Sequence, residues 1–520
     1  MSATKTIIVN VLSTYGRSLL SFFLSLFTAR WILEALGETD FGLYGVVGGV
    51  MFFVSVFNIT QNTTVARFFA YSIGCDMKKE HSTGSDSDLS AWFNTAIIIH
   101  LALPIVLIAV GYPVGVYAFG NWLNIPGDRL ETCLWIFRLS LVSLFASVVS
   151  VPFSALFVAY QKISVQVALS LVYVFGLFGV SYSLSFFQGD RLLAYGILVM
   201  VLHVGTCVIN MVVAKRMFPC CKVKLRKMLS ANRVFRMLRF SLYKFIGDSA
   251  WGVRNHGEAF VANISFGPSS NAALSVASQL ATQSASLCNT LATAFSPAIT
   301  TEEGAGRRQV MQAMSIRCSK FGALLLALVC VPLSIEIDFW LKLWLKNPPN
   351  GSVCLCLCLM VANMMASITK GHELAIHATG NISKWQIFDA ISHVCAIPIA
   401  CVFVWLGMGV WAIGVSFIAS VALISACRLY YARRLVGLSI RNWVTGVLFP
   451  LAVVIAISGL GGSLVARTVE NDLWQMFAVV IGSTALFFVS AWKFALTLEE
   501  KEFVLLNIRE RYAQIWKQTK

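Results

Sequence analysis

An arginine stands in the middle of the first long apolar stretch of the chain. From Ile7 to Trp31 most residues are apolar, yet Asn10, Thr14, Arg17, Ser21, Ser25 and Thr28 recur at steps of three or four. On an α-helix that spacing gathers them on one narrow face. A charge at bilayer depth costs about 2.5–3.5 kcal/mol on insertion scales, so such a face turns to a wet cavity or a transport path rather than to lipid. Arg17 has no acidic residue on its own stripe, and a guanidinium offers paired donors to an anion. The chemistry expected of this face is therefore capture of an anionic group.

Two further stretches carry such faces. Ser275, Gln279, Thr282, Ser286, Asn289 and Thr293 form a second polar stripe at helical spacing. Before it, Lys244, Asp248, Trp251, Arg254, Asn255 and Glu258 fall within a sector of about 120° on a helical wheel. Four ionisable groups on one transmembrane face point to a hydrated central cavity, with helix-to-helix hydrogen bonding as the alternative for the uncharged ones. Asp248 follows Lys244, and Glu258 follows Arg254, by one helical turn, so each acid has a basic neighbour to neutralise. The competing role is ion coupling, in which the carboxylate alternates between that neighbour and a bound cation. Arg138 and Lys370 fall near membrane boundaries, where long side chains snorkel.

The elements that must position these residues are membrane spans. Of the 520 residues 58% are hydrophobic and 12% charged, and the mean hydropathy is +0.75. No soluble domain carries that balance over such a length. At about 20 apolar residues per helical span, the sequence reads as about 14 spans. They run over 7–31, 42–66, 92–118, 133–157, 164–187, 192–213, 240–265, 271–297, 320–344, 353–377, 385–406, 409–427, 443–465 and 473–494, the seventh and eighth being the most polar. With Met1–Lys5 inside, the inner connections hold about 28 basic residues against about 5 outside, so both termini are expected in the cytoplasm. The net charge of +16 then reports topology and contact with anionic headgroups, not a nucleic-acid partner. The first apolar segment is too long for a cleaved signal peptide and is expected to remain as a helix. The last residues, with Phe503, Leu506, Ile508, Tyr512, Ile515 and Trp516 among charges, read as an amphipathic interfacial helix.

Several motifs are declined. His372 and His377 sit five apart, about 140° around a helix rather than on the one face a zinc-protease site needs. Asp86-Ser87-Asp88 is similar to the acidic pair of some glycosyltransferases but lies in a short polar connection. Gly45 and Gly49 fit close helix packing. There is no phosphate-loop motif for an ATP-driven pump. The 14 cysteines are spread mainly through apolar spans and read as small buried side chains, and the alternation of Cys354, Cys356 and Cys358 scatters thiols around a helix rather than forming a metal site. No metal or cofactor is expected.

A faint repeat at a shift of about 230 residues aligns Leu36-Gly37 with Phe266-Gly267, each after a polar-striped helix. It divides the chain into an N-terminal lobe of six spans over 1–214, a basic cytoplasmic linker over 215–239, a C-terminal lobe of six spans over 240–430, and two added spans with the tail over 431–520. Repeated lobes with a site between them are a recurrent transporter plan.

The run Ala29-Arg30-Trp31-Ile32-Leu33-Glu34-Ala35-Leu36-Gly37-Glu38-Thr39-Asp40-Phe41-Gly42-Leu43-Tyr44 resembles the first external turn of bacterial O-antigen and exopolysaccharide flippases. These Wzx-type proteins belong to the multidrug/oligosaccharidyl-lipid/polysaccharide exporter superfamily. The resemblance continues through Asn124-Ile125-Pro126, Val151-Pro152-Phe153, Phe295-Ser296-Pro297, Val331-Pro332-Leu333 and Ala378-Thr379-Gly380-Asn381, over nearly the whole chain. It implies an all-α, MATE-like carrier with two pseudo-symmetric lobes in the bacterial inner membrane. Its implied cargo is an undecaprenyl-pyrophosphate-linked oligosaccharide, moved by alternating access alongside polysaccharide polymerase and glycosyltransferases. Arg17 is similar in position to a cavity arginine of the related lipid II flippases, with Lys244 and Arg254 meeting the same pyrophosphate and Asn10, Ser21, Gln279 and Asn289 lining the cavity. The rival within transport is a cation-coupled multidrug exporter, which Asp248 and Glu258 keep open. A membrane polymerase or ligase would need a sizeable external loop, and the external connections here are short.

Overall fold

The computed structural model describes residues 3–79, 88–121, 125–221, 230–345, 347–469 and 471–502, and among them every regular element is helical. Helix α1 (Ala3–Lys79) is two arms joined at Gly37, whose φ of 77° and ψ of 169° leave the helical region. Lacking a Cβ, glycine enters that left-handed region without steric penalty, so the chain turns where the Leu36-Gly37 pair placed a turn. Next come α2 (Asp88–Asn121), α3 (Leu130–Ala159), α4 (Ile163–Ser183), α5 (Arg191–Met217), α6 (Ala231–Phe266), α7 (Pro268–Gly304) and α8 (Arg308–Ile335). The remainder is shorter pieces: α9 (Ile337–Leu345), α10 (Ser352–Ser367), α11 (Lys370–Thr379), α12 (Ser383–Val394), α13 (Ala396–Trp405), α14 (Trp411–Tyr431), α15 (Ile440–Trp443), α16 (Phe449–Ala466) and α17 (Asp472–Ser490). Side-chain caps fix the starts of two long helices. Asp190 accepts from the amides of Leu192 and Leu193 to begin α5, and Asn471 accepts from those of Leu473 and Trp474 to begin α17, each satisfying donors that the helix itself leaves open.

Nine helices among the described residues are long and apolar enough to cross a membrane, and α10 with α11, bent by 44°, makes a tenth. The other four expected spans fall on the two arms of α1 and on α6 and α7. The last two have the length, 36 and 37 residues, but their polar stripes lower their apolarity. The ninth expected span, 320–344, is corrected: α8 starts at Arg308 and the chain breaks at Glu336 before α9. The amphipathic tail beyond Glu502, the Asp86-Ser87 pair and the 222–229 part of the basic connection lie outside the described residues.

The chain forms two compact units. The first comprises Met1–Ser249, Thr293–Met311 and His377–Ile387; the second comprises Ala250–Ala292, Gln312–Ile376 and Phe388–Lys520. In the first, α3 packs against α1, α2 and α5, and α4 against α1 and α5, around Leu43, Phe119, Ile136, Phe137 and Leu192. In the second, α10 packs against α14 and α16 against α17, with Leu326, Leu341, Leu355, Leu359, Ile413 and Phe417 in the core. The fourteen cysteines are free thiols, most of them buried.

Candidate functional site

In the first unit the polar stripe of α1 divides by role. Asn10, 2% exposed, gives its amide nitrogen to the carbonyl of Gln161 at 2.9 Å and accepts from the amide of Ser164 at 3.2 Å. Both ends of its carboxamide thus hold the α3–α4 turn, where Gln161 has φ +56°. Asn10 thus ties helices together. Thr14 and Thr28 bond back to the carbonyls of Asn10 and Leu24, the usual solution for a hydroxyl inside a helix. Ser21 is half-buried, and the side chain of Ser25 lies outside the described residues.

Arg17 behaves differently. Its guanidinium touches Ser170 Oγ at 3.4 Å, and its Nε is buried without a hydrogen-bond partner among the described residues. A buried donor left unpaired costs about 1–3 kcal/mol, so a partner brought by an incoming anion would recover that cost. Arg138, by contrast, is exposed, with its guanidinium 4.8 Å from the Trp135 ring.

The ionisable residues of α6 separate between the two units. In the first, Lys244 pairs with Asp248, and Asp248 accepts from Thr60 Oγ1 at 2.7 Å. Asp248 is thereby engaged by two groups. In the second, Arg254 is 5% and Glu258 0% exposed. The Arg254 guanidinium lies over the Phe417 ring at 4.2 Å, with Nε and one Nη lacking hydrogen-bond partners. Glu258 accepts from Ser416 at 3.0 Å through one oxygen, and its other oxygen is buried without a partner. Lys244 and Asp248 are half-buried, whereas Arg254 and Glu258 are enclosed.

The α7 stripe emerges on one side: Ser275, Gln279, Thr282, Ser286, Asn289 and Thr293 are all exposed. A row of hydroxyls and carboxamides facing hydrocarbon would leave polar groups unsolvated, so this face calls for water or a polar ligand.

Three charges of the second unit form a network that spacing along one helix does not show, because Arg428 comes from a different helix. Glu373 pairs with Arg428 at 2.5 Å and with Lys370 at 3.1 Å. Arg428 also donates to the carbonyl of Ala366 at 3.2 Å, and Trp443 Nε1 to that of Ile368 at 2.8 Å, so carbonyls released by the α10–α11 bend are satisfied. Lys370, read as a boundary lysine, is a member of this buried network. Asp389 and His393 approach to 4.0 Å nearby in sequence on α12.

The arrangement has solved counterparts. A multidrug resistance MATE family transporter of the MOP superfamily in an outward-facing conformation matches with a TM-score of 0.72 at 13% identity, covering 84% of this chain and 96% of that one. The chain has the MATE transporter fold. A MATE protein in the bent conformation matches at 0.74 with 13% identity over 84% and 96% of the two chains. A MOP superfamily transporter from Pyrococcus furiosus, described by the reversed polarity of its binding pocket, matches at 0.71 with 13% identity over the same shares. No protein-family model and no curated protein matches the chain by sequence. On the MATE fold the chain is a multi-pass helical membrane protein, and its neighbours are transporters rather than enzymes.

Proposed function

We propose that this protein flips a lipid-linked oligosaccharide, carried on undecaprenyl pyrophosphate, across the bacterial inner membrane by alternating access. The observation that carries this reading is Arg17. Its Nε is an unpaired buried donor on a stripe without a carboxylate, and a diphosphate supplies the acceptors it lacks. Gln279 and Asn289, exposed on α7, supply donors and acceptors suited to sugar hydroxyls. Polymerase and glycosyltransferases are the expected associates, with both termini in the cytoplasm.

The second reading is a cation-coupled multidrug exporter, favoured by the enclosed Glu258 with its unpartnered oxygen. Reconstitution separates the two. Purified protein in liposomes is given a fluorescent undecaprenyl-pyrophosphate oligosaccharide in one assay and a cationic dye with a sodium or proton gradient in the other. Transfer of the glycolipid without dye export supports the flippase reading; dye export alone overturns it.

A further inference from the structure

Three stretches of the first unit that are distant in sequence meet at one end of it: the second arm of α1, the last turns of α7 and the segment His377–Ile387. Between the first two the contact is backbone to backbone. A Cβ on Gly74 would lie 2.0 Å from the carbonyl oxygen of Thr301, and one on Gly304 would lie 2.2 Å from that of Tyr71. At this junction Arg67 reaches from α1 to the last carbonyls of α11, donating to His377 at 3.2 Å and Ala378 at 2.8 Å. Its guanidinium lies 4.8 Å from the ring of Phe68, 5.0 Å from Tyr71 and 5.3 Å from Phe240. Gly380 closes the pocket: it has φ +77°, and a Cβ there would lie 2.4 Å from Arg67 Nη2.

We propose that Arg67 is the bolt of a gate that holds this end of the protein shut. The chemistry suits a reversible closure. The cation is held by helix-end carbonyls, which carry a partial negative charge, and by aromatic faces, without an ion-pair partner of its own among the described residues. Withdrawing Arg67 therefore strands no buried carboxylate, and water replaces the lost contacts. Opening costs a few modest interactions and separates surfaces packed at backbone distance, which gives two discrete arrangements rather than a continuum. The three segments lead into the 80–87, 305–307 and 380–382 connections, all on the basic side of the expected topology, so the gate faces the cytoplasm. Its use as a gate rests on the transport reading; the latch itself does not.

The test is hydrogen exchange and thiol labelling on the full-length protein in lipid nanodiscs. Arg67→Ala and Arg67→Gln are expected to raise exchange about tenfold in both 293–304 and 377–387, with 133–157 and 411–427 unchanged. Cys75, one turn beyond Tyr71 and partly buried, should react correspondingly faster with a maleimide, followed by peptide mass. Gly380→Ala, which keeps Arg67 but fills its pocket, should give the same pattern, and Arg67→Lys an intermediate one. Adding undecaprenyl pyrophosphate to the unaltered protein should raise Cys75 labelling, a response that a merely structural arginine would not give. Unchanged exchange in both segments or a rise spread equally over all helices would overturn the latch, and Cys75 labelling indifferent to the diphosphate in protein that does move glycolipid would overturn its use as a gate. Failure of the unaltered protein to move glycolipid in liposomes would instead sink the transport reading and leave the exchange result standing.

Discussion

Arg254 lies over the ring of Phe417 at 4.2 Å instead of pairing with Glu258, one helical turn further along. The superficially equivalent pair, Lys244 and Asp248, is bonded, and Thr60 adds a donor to the same carboxylate. Two acids with the same spacing from a base thus have opposite situations. Asp248 is neutralised in place. Glu258 keeps one buried oxygen open among the described residues, an acceptor available to a bound cation.

Glu258→Gln should therefore remove whatever dependence on a sodium or proton gradient the unaltered protein shows in liposomes, while Asp248→Asn should lower stability and leave that dependence intact. Gradient dependence lost in Asp248→Asn and kept in Glu258→Gln would reverse the assignment.

Arg17→Ala should weaken glycolipid binding about 10- to 100-fold, the equivalent of one charge-assisted hydrogen-bonding group at about 1.5–3 kcal/mol. Export should be lost with membrane abundance near normal. Arg17→Lys keeps the charge but not the planar fork and should retain part of the activity. Normal glycan export by Arg17→Ala would remove the basis of the flippase reading.

What the sequence made legible was periodic. The stripe around Arg17, the turn at Gly37 and the polar face of α7 all follow from spacing along one helix, and Gly267, the repeat partner of Gly37, has the matching positive φ of 82°. A helical wheel shows angle but not depth. Lys244 and Glu258 share a sector, yet at 1.5 Å per residue they stand about 21 Å apart along the axis and fall in different units. Asn10 sits on the polar stripe, but its partner Gln161 is 151 residues away. Arg67 carries no local signal, because the His377 carbonyl to which it donates is 310 residues away. Long-range polar contacts of this kind leave no local period.

Asn10→Ala should act on stability rather than on cargo. It deletes two hydrogen bonds that hold the 160–164 turn, each worth about 1 kcal/mol net, so a loss of about 1–3 kcal/mol is expected. Thermal unfolding in detergent would show it as a lowered midpoint, with glycolipid affinity of the folded fraction unchanged. A selective loss of affinity at unaltered stability would restore Asn10 to the cavity.

Reporter fusions at Ser87, Ser230 and Gly304 should read cytoplasmic and one at Asn350 external, as the distribution of basic residues requires. Ser230 carries the most weight, because the largest basic run surrounds it. An external signal there would invert the second half of the chain and set the carbonyls of His377 and Ala378 on the opposite side of the membrane from Arg67, against the hydrogen bonds between them.

The start of the tail is docked by a buried cation, and its pH response has a definite sign. Lys320, 5% exposed, donates to the carbonyl of Ala495 at 3.2 Å and to Glu500 at 2.5 Å. Burial pushes the Glu500 carboxyl up, but the hydrogen bonds from Lys320 and from the amide of Thr497 outweigh it and hold the group below the usual range. A carboxyl whose folded pKa is depressed stabilises the folded form fully above its unfolded value, about 4.3. That contribution is lost as pH falls through the lower folded value. The tail should therefore stay docked at pH 5 and release only in stronger acid. Glu500→Gln should release it at pH 7 by leaving Lys320 without its carboxylate. Exchange at residues 497–502, followed from pH 7 to pH 3 with rates corrected for intrinsic pH dependence, reads both effects. Release already complete at pH 5, or a Glu500→Gln protein as protected as the parent at pH 7, would show that Lys320 is satisfied by Ala495 alone.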